Sequence, residues 1–499
     1  MGLTGGMGER HEVVIVGAGF GGMGAAIQFQ RLGIGDVVLL EREDDLGGTW
    51  HVNRYPGLSV DIASVTYSYS FEPNPYWSRL YAPGEEIKRY ADHVADRYGL
   101  RGRMRFGVTV EGATWDDDAG HWTVRIRGGE PIEARYLVTA TGFLSQPKVP
   151  DIEGIDRFAG EVVHSARWDD RVALDGRRVG LIGTGATAVQ LVPQVAKRAA
   201  DLTVYQRTPV WVLPKLDRPI PPRVQRLFAR RPVLQRLARL VTSGIYEAMT
   251  SVAVLNHRPF GIGSKVAERL ARAHLDRQVR DDETRRRLTP AYSFGCKRPT
   301  PSNDYLRTFN RDHVHLETEP IARVDEAGIV TADGRRTDLD VLLLCTGFDL
   351  WDTNFPAIDI VGRDGADLRT WWREERFQTY LGAAVPGFPN YLCVNSPYGY
   401  LGLSYFWTIE AWMGHVARLF THLRSRAATV FEVDRAANDR YVATMRRRRR
   451  RSIFDGGDCA SANSYYFDPN GEATLLRLSS VAAGMRASKR FPADAYRYR

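Results

Sequence analysis

A chain of 499 residues has room for two or three packed domains, and its 43% hydrophobic and 25% charged residues are ordinary for a globular protein. The net charge of +9, from 68 basic against 59 acidic side chains, is a modest basic excess that does not imply nucleic acid. No apolar run approaches the ~20 residues of a bilayer span, so no membrane span is expected. The leader Met1 to Arg10 is glycine-rich without a signal peptide's apolar core, which leads one to expect a cytoplasmic product. Cys296, Cys345, Cys393 and Cys459 stand far apart with no C-x-x-C spacing. They suit a reducing compartment and are expected to form neither a metal site nor a redox disulfide.

Glu12 to Val16 is a β-branched run that reads as a buried parallel strand. Gly17-Ala18-Gly19-Phe20-Gly21-Gly22 follows, with helical character from Met23 to Leu32. Gly17 permits the tight turn, Gly19 admits a pyrophosphate to the backbone, and Gly22 allows close helix–strand packing. The helix N-terminus offers unpaired N–H groups to the phosphates. The next strand, Val37 to Leu40, ends at Glu41, whose carboxylate accepts from an adenosine ribose and repels a 2′-phosphate. This unit wants FAD or NAD. Gly47-Gly48-Thr49-Trp50, Arg54-Tyr55-Pro56-Gly57 and Asp61 come next, then a helix from Tyr81 to Tyr98 and strands through Trp115 and His121 to Ile126. A buried strand from Tyr136 leads to Ala140-Thr141-Gly142, where the chain is expected to leave the first domain.

The stretch from Phe158 to Trp168 carries the pattern F-x-G-x-x-x-H-x-x-x-W, with Phe158, Gly160, His164 and Trp168 at its fixed positions. A second nucleotide unit follows: strand Arg178 to Ile182, then Gly183-Thr184-Gly185-Ala186-Thr187-Ala188 opening a helix. Ala188 stands where the last glycine is usual. The strand Asp201 to Tyr205 ends in Gln206-Arg207-Thr208. An arginine thus replaces the carboxylate of the first unit, and a guanidinium forks onto a phosphate, so this site prefers NADPH. Pro214 to Pro222 reads as a boundary, followed by Arg/Leu/Ala-rich helical sequence to about Leu288. Val341 to Leu344 is a strand ending in Cys345-Thr346-Gly347-Phe348, the expected second crossing between domains. The run Arg446 to Arg451 reads as a solvated helix end, with an anionic partner as the alternative.

In that linker pattern, set between two dinucleotide motifs, the chain resembles the type I Baeyer-Villiger monooxygenases. The resemblance implies an α/β fold with two Rossmann-like domains, for FAD and NADP, and a helical insertion in the NADP domain. The implied limits are 9–150 and 351–499 for the FAD domain, 151–213 and 291–350 for the NADP domain, and 214–290 for the insertion. It implies a flavin peroxide, formed with NADPH and O2, that inserts oxygen beside a ketone carbonyl to give an ester or lactone. Gly47-Gly48-Thr49-Trp50, Arg54-Tyr55-Pro56-Gly57 and Asp61 would line the flavin ring. Phe294-Gly295-Cys296-Lys297-Arg298 matches the family's Gly-Cys-Lys-Arg segment, which makes Arg298 the active-site cation, held by Asp61. Lys297, Arg207 and Thr208 would share the 2′-phosphate, and His164 would couple the domains. Tyr465 stands where many members have a loop tryptophan, which puts loop closure in question. An N- or S-oxygenating flavin monooxygenase is the alternative; Trp168 and the Lys297-Arg298 pair argue against it. A disulfide reductase would need paired cysteines near Glu41 to Asp61, where there are none.

Overall fold

Strand residues of alternating destination build the first half of the molecule. In a computed structural model that describes residues 8–499, Arg10–Val16 sends Val13 and Ile15 into one apolar cluster and Val14 and Val16 into another. A strand buried on both faces must lie inside a sheet covered on both sides. It pairs in parallel with Val37–Leu40 and Ile132–Thr139, at the centre of an eight-stranded sheet. His121–Ile126 and Val110–Asp116 extend that sheet in antiparallel fashion, and Tyr391–Cys393 joins it in parallel against Ile132–Thr139. Helices Phe20–Arg31 and Tyr405–Ser425 pack over one face, where Phe20 and Phe406 meet at 4.8 Å between ring centroids. The first of these starts at Phe20, earlier than Met23. Most of the leader read from Met1 to Arg10 lies outside the described residues.

The second sheet has five parallel strands in the order Val314–Glu317, Asp201–Tyr205, Arg178–Ile182, Val341–Leu344, Glu161–His164. A three-stranded antiparallel sheet, Ile321–Asp325, Gly328–Thr331 and Arg336–Asp338, flanks it. Between Pro222 and Arg287 the described chain is helical, with Pro232–Thr250 and Ile262–Gln278 as its long elements.

Two crossings join the sheets, and they pair with each other. Lys148 N donates to Gly347 O at 3.0 Å, and Asp349 N donates to Gln146 O at 2.9 Å. Both crossings leave the C-terminal ends of central strands, the edge at which open α/β sheets bind ligands.

Candidate active site

The two glycine-rich turns are shaped by contacts that leave no room for a side chain. Gly17 has φ +105°, in the region only glycine enters freely, and a methyl at Gly22 would collide with the Gly17 carbonyl. Helix Phe20–Arg31 therefore starts directly on its strand. Glu41 is buried at the end of the next strand, where its carboxylate accepts from Ala18 N at 2.7 Å and Glu43 N at 3.1 Å. The Gly47-Gly48-Thr49-Trp50 turn leans on the same loop, with Gly47 N donating to Ala18 O and Gly48 against Gly19. Trp50 is held by its indole N–H, which donates to the Tyr67 hydroxyl at 3.0 Å.

At the second unit, Gly183 (φ +120°) closes against the Cys345 carbonyl. Among the described residues, and apart from its own chain neighbours, nothing lies within 4 Å of where a methyl at Gly185 would sit, so the cradle is open where a pyrophosphate approaches. Ala188 is fully buried, its methyl filling the helix–strand contact. Arg207 is exposed after the next strand. Lys297, from a segment 90 residues on, is close enough that burial first and the Arg207 cation second hold its ammonium down to about 8. Two like charges gathered in this way fit a 2′-phosphate. Thr208 sits beside them, its carbonyl accepting from the Thr184 hydroxyl at 2.6 Å and its Oγ1 from Asn463 Nδ2 at 2.7 Å.

Asp61 and Arg298, 237 residues apart, meet in a two-point pair. Arg298 Nε donates to Asp61 Oδ2 at 2.6 Å and a terminal nitrogen donates to Oδ1 at 2.9 Å, with side chains 19% and 23% exposed. Burial opposes the guanidinium charge, but the facing carboxylate outweighs it and raises Arg298 above its ordinary value. The cation is permanent. Tyr400, Tyr465 and Tyr466 stand within its electrostatic reach, each kept neutral first by burial. Tyr465 also accepts through its carbonyl from the Trp351 indole at 3.1 Å, so this loop is packed down.

One expectation is overturned here. Cys296 and Cys459, 163 residues apart, are joined as a disulfide, next to Lys297 and Arg298. Spacing along the chain could not show that the two loops meet, with Ser293 N donating to Asp458 O at 2.8 Å. Cys345 and Cys393 are free and buried.

The linker residues serve the edge of the second sheet and its junction. Phe158 is buried against Tyr205, Leu342 and Leu344, and a methyl at Gly160 would press into the Phe158 ring at 2.6 Å. His164 ends the edge strand. Its Nδ1 accepts from Ala166 N at 3.1 Å, while Nε2 is enclosed near the backbone of Lys148 and Gly347 without a formed hydrogen bond. Burial lowers the imidazole's pKa, so it is held neutral between the two crossings. Trp168 packs against the core of the second sheet, and Arg167 reaches Glu43 of the first at 3.4 Å.

Sequence reasoning missed the contacts that fasten the halves together. Tyr55 leaves the first half and is buried in the second half's core, donating to Gln190 Oε1 at 3.0 Å. Gln190 Nε2 donates back to Ser59 O at 2.9 Å. Lys215 Nζ donates to Ser59 Oγ at 3.0 Å, and burial pulls its ammonium below its usual value. Tyr55, Ser59 and Lys215 border a cleft of about 820 Å³ that also takes in Trp50, Arg54 and Asp170; Asp61 and Arg298 are not in its wall. The sequence marks Arg54-Tyr55-Pro56-Gly57 as a turn near the flavin, but nothing local shows that Tyr55 lodges in the far core or that Gln190, Ser59 and Lys215 meet it.

Comparison with known proteins agrees with this geometry. The family described as pyridine nucleotide-disulphide oxidoreductase matches residues 11–256. A Baeyer-Villiger monooxygenase of Streptomyces coelicolor is 36% identical over 97% of this chain and 91% of its own length. One from Pseudomonas aeruginosa is 35% identical over 98% and 91%. Among solved structures, an oxidized steroid monooxygenase bound to NADP superposes with TM-score 0.86 at 31% identity, covering 98% of this chain and 99% of that one. OTEMO in complex with FAD and NADP gives 0.86 at 28%, covering 99% and 100%.

Proposed function

The chain belongs to the Baeyer-Villiger monooxygenases, and from that premise we propose how its own residues serve an FAD- and NADPH-dependent insertion of oxygen beside a ketone carbonyl. When bound, FAD would supply the redox chemistry between NADPH and O2. The protein has to bind, orient, exclude water and hold charge. The turn at Gly17, Gly19 and Gly22 with Glu41 would take the adenosine and pyrophosphate of FAD, and Gly48, Thr49 and Trp50 would border its ring. Gly183, Gly185, Thr187 and Ala188 would take the pyrophosphate of NADPH, with Arg207, Thr208 and Lys297 on its 2′-phosphate.

The observation that carries the reading is the Arg298–Asp61 pair. A ketone attacked at its carbonyl becomes an oxyanion, and a fixed, permanently charged donor stabilises that charge with little reorganisation. Asp61 aims the guanidinium through two bonds and offsets part of its charge. Tyr400, Tyr465 and Tyr466 complete a wall that limits water at the same place. His164, between the crossings, fits a positioning role that keeps the two halves in register. The redox pair of a disulfide reductase finds no counterpart, since the Cys296–Cys459 bond adjoins Arg298 and not the first nucleotide loop.

Among the described residues no helix is long and apolar enough to cross a membrane. We place the enzyme in the cytoplasm, where reducing conditions would keep Cys296 and Cys459 largely as thiols.

The test is to supply FAD-loaded enzyme with NADPH and O2 and to offer cyclic, linear and aryl ketones beside one thioether. Ester or lactone formation lost in Arg298→Ala, with FAD still bound, supports the reading. Oxidation of the thioether alone would transfer the chain to heteroatom oxygenation.

A further inference from the structure

Helix Pro232–Thr250 is amphipathic with its faces exchanged. The side turned to the protein is polar: Gln235 Nε2 donates to Asn74 O, Arg239 donates to Ser68 O at 2.8 Å, and the Tyr246 hydroxyl accepts from Ala63 N at 2.7 Å. The opposite side presents Val233, Leu237, Leu240, Val241, Ile245 and Met249 to solvent at helical spacing, with Val233 71% and Leu240 69% exposed. The stripe continues through Val252 (47% exposed), against which Gly263 packs. There helix Ile262–Gln278 takes it over with exposed Ile262, Val266 and Leu270. A contiguous exposed apolar surface of this kind marks an interaction site.

Charge identifies what it meets. Residues 221–272 hold ten arginines and lysines against Glu247 and Glu268, a net +8 of the chain's +9. Among the described residues only Arg239 of the ten forms an ion pair, with Glu410 at 3.9 Å, and the other nine are exposed. A second copy docked by the same face would set +8 against +8, which opposes a symmetric dimer there. An anionic lipid surface satisfies both features, since acyl chains accept the apolar stripe and headgroups accept the arginines. We propose that this helical segment is a membrane-surface anchor, lying in the interface of an anionic bilayer without crossing it. The inward side of helix Pro232–Thr250 touches the loop of Asp61 through Tyr246 and Ala63, and the helical turn Ser251–Leu255 that follows it meets the loop of Arg298 through Val254 and Gly295. The anchor would hold the candidate active site beside the lipid, where apolar molecules collect. The binding itself does not depend on which oxygenation the site performs.

The experiment is flotation of full-length, FAD-loaded enzyme with phosphatidylcholine vesicles and with equimolar phosphatidylcholine–phosphatidylglycerol vesicles. We expect at least about tenfold more protein on the anionic vesicles, falling as salt is raised. Leu237→Glu/Leu240→Glu/Ile245→Glu should abolish binding while retaining bound FAD and melting temperature, because all three side chains are already exposed. Arg230→Glu/Arg231→Glu/Arg236→Glu should remove the preference for anionic lipid. Failure of the wild-type enzyme to bind anionic vesicles overturns the proposal, as does undiminished binding of the leucine–isoleucine variant. A wild-type dimer that the same variant converts to a monomer, without lipid binding, overturns it in favour of a second copy on this face.

Discussion

At Arg298 two opposing effects meet, and their balance sets the chemistry. Burial alone would discourage the charge, and Asp61 restores it through a two-point bond. Arg298→Ala should lower ester formation by about 10²- to 10³-fold, the range for losing an oxyanion donor in a water-poor site. Arg298→Lys keeps the charge without the fork and should fall between. Asp61→Ala leaves a mostly buried cation unpaired and should destabilise the fold by about 2–4 kcal/mol, read as a lowered melting temperature. Lys297 makes a different prediction. Its ammonium is held down to about 8, so the free enzyme carries this charge below that pH and loses it above. Phosphate binding requires the charged form. KM for NADPH should be flat on this account below pH 8 and climb above it by up to about tenfold per unit, whereas Lys297→Met should show a high KM without that rise.

Among elements, the edge strand Glu161–His164 and the C-terminal loop act at the site from outside it. Gly160 precedes the strand with Phe158 on one side and the Asp340 carbonyl on the other, so Gly160→Ala must push one of them away. A cost of about 1–3 kcal/mol is expected, with NADPH consumed in excess of ester as His164 shifts between the crossings. The loop carrying Tyr465 and Tyr466 is tied to the Arg298 segment by Cys296–Cys459 and to Thr208 by Asn463. In the oxidised enzyme, Cys459→Ser should loosen that loop, raise KM for NADPH and expose the segment near 457–463 to proteolysis, and a thiol reductant should do the same to the wild type, while Arg298 keeps its bond to Asp61. The arginines from Arg446 lie at the end of helix Arg435–Arg449, where Arg446 meets Glu472 at 3.5 Å and Arg449 meets Asp455 at 2.9 Å. These two are paired, which fits a structural end more than a free polybasic tail.

Over the whole molecule, two halves that each hold a dinucleotide must stay at fixed separation for a hydride to pass. The structure fastens them by Tyr55 in the second core, by Gln190 on Ser59, and by two crossings that hydrogen-bond each other. Ligand binding across such a junction stabilises the native state by mass action. NADP at about 100 times its Kd should add about 2.7 kcal/mol, visible as a raised melting temperature. NAD should give much less, and Arg207→Ala should narrow the difference, because the discrimination rests on the 2′-phosphate that Arg207 shares with Lys297.

The local sequence determined what depends on neighbours along the chain. Both strand–turn–helix units, the opposed charges of Glu41 and Arg207, and the strands Val37–Leu40, Arg178–Ile182, Asp201–Tyr205 and Val341–Leu344 could be read from it. Glycine turns and β-branched runs act over a few residues, so their signal is complete within a short window. The two-domain α/β fold follows from them, and the family resemblance supplied the pairing of Arg298 with Asp61. Only the tertiary structure decided the rest. The Cys296–Cys459 bond, the tyrosines around Arg298 and the lodging of Tyr55 in the far core join segments whose separation carries no local signature. The inverted helix Pro232–Thr250 shows the same limit. Its periodicity announces two faces, but which one turns outward is fixed by the polar loop from Ala63 to Asn74 that the helix meets in space.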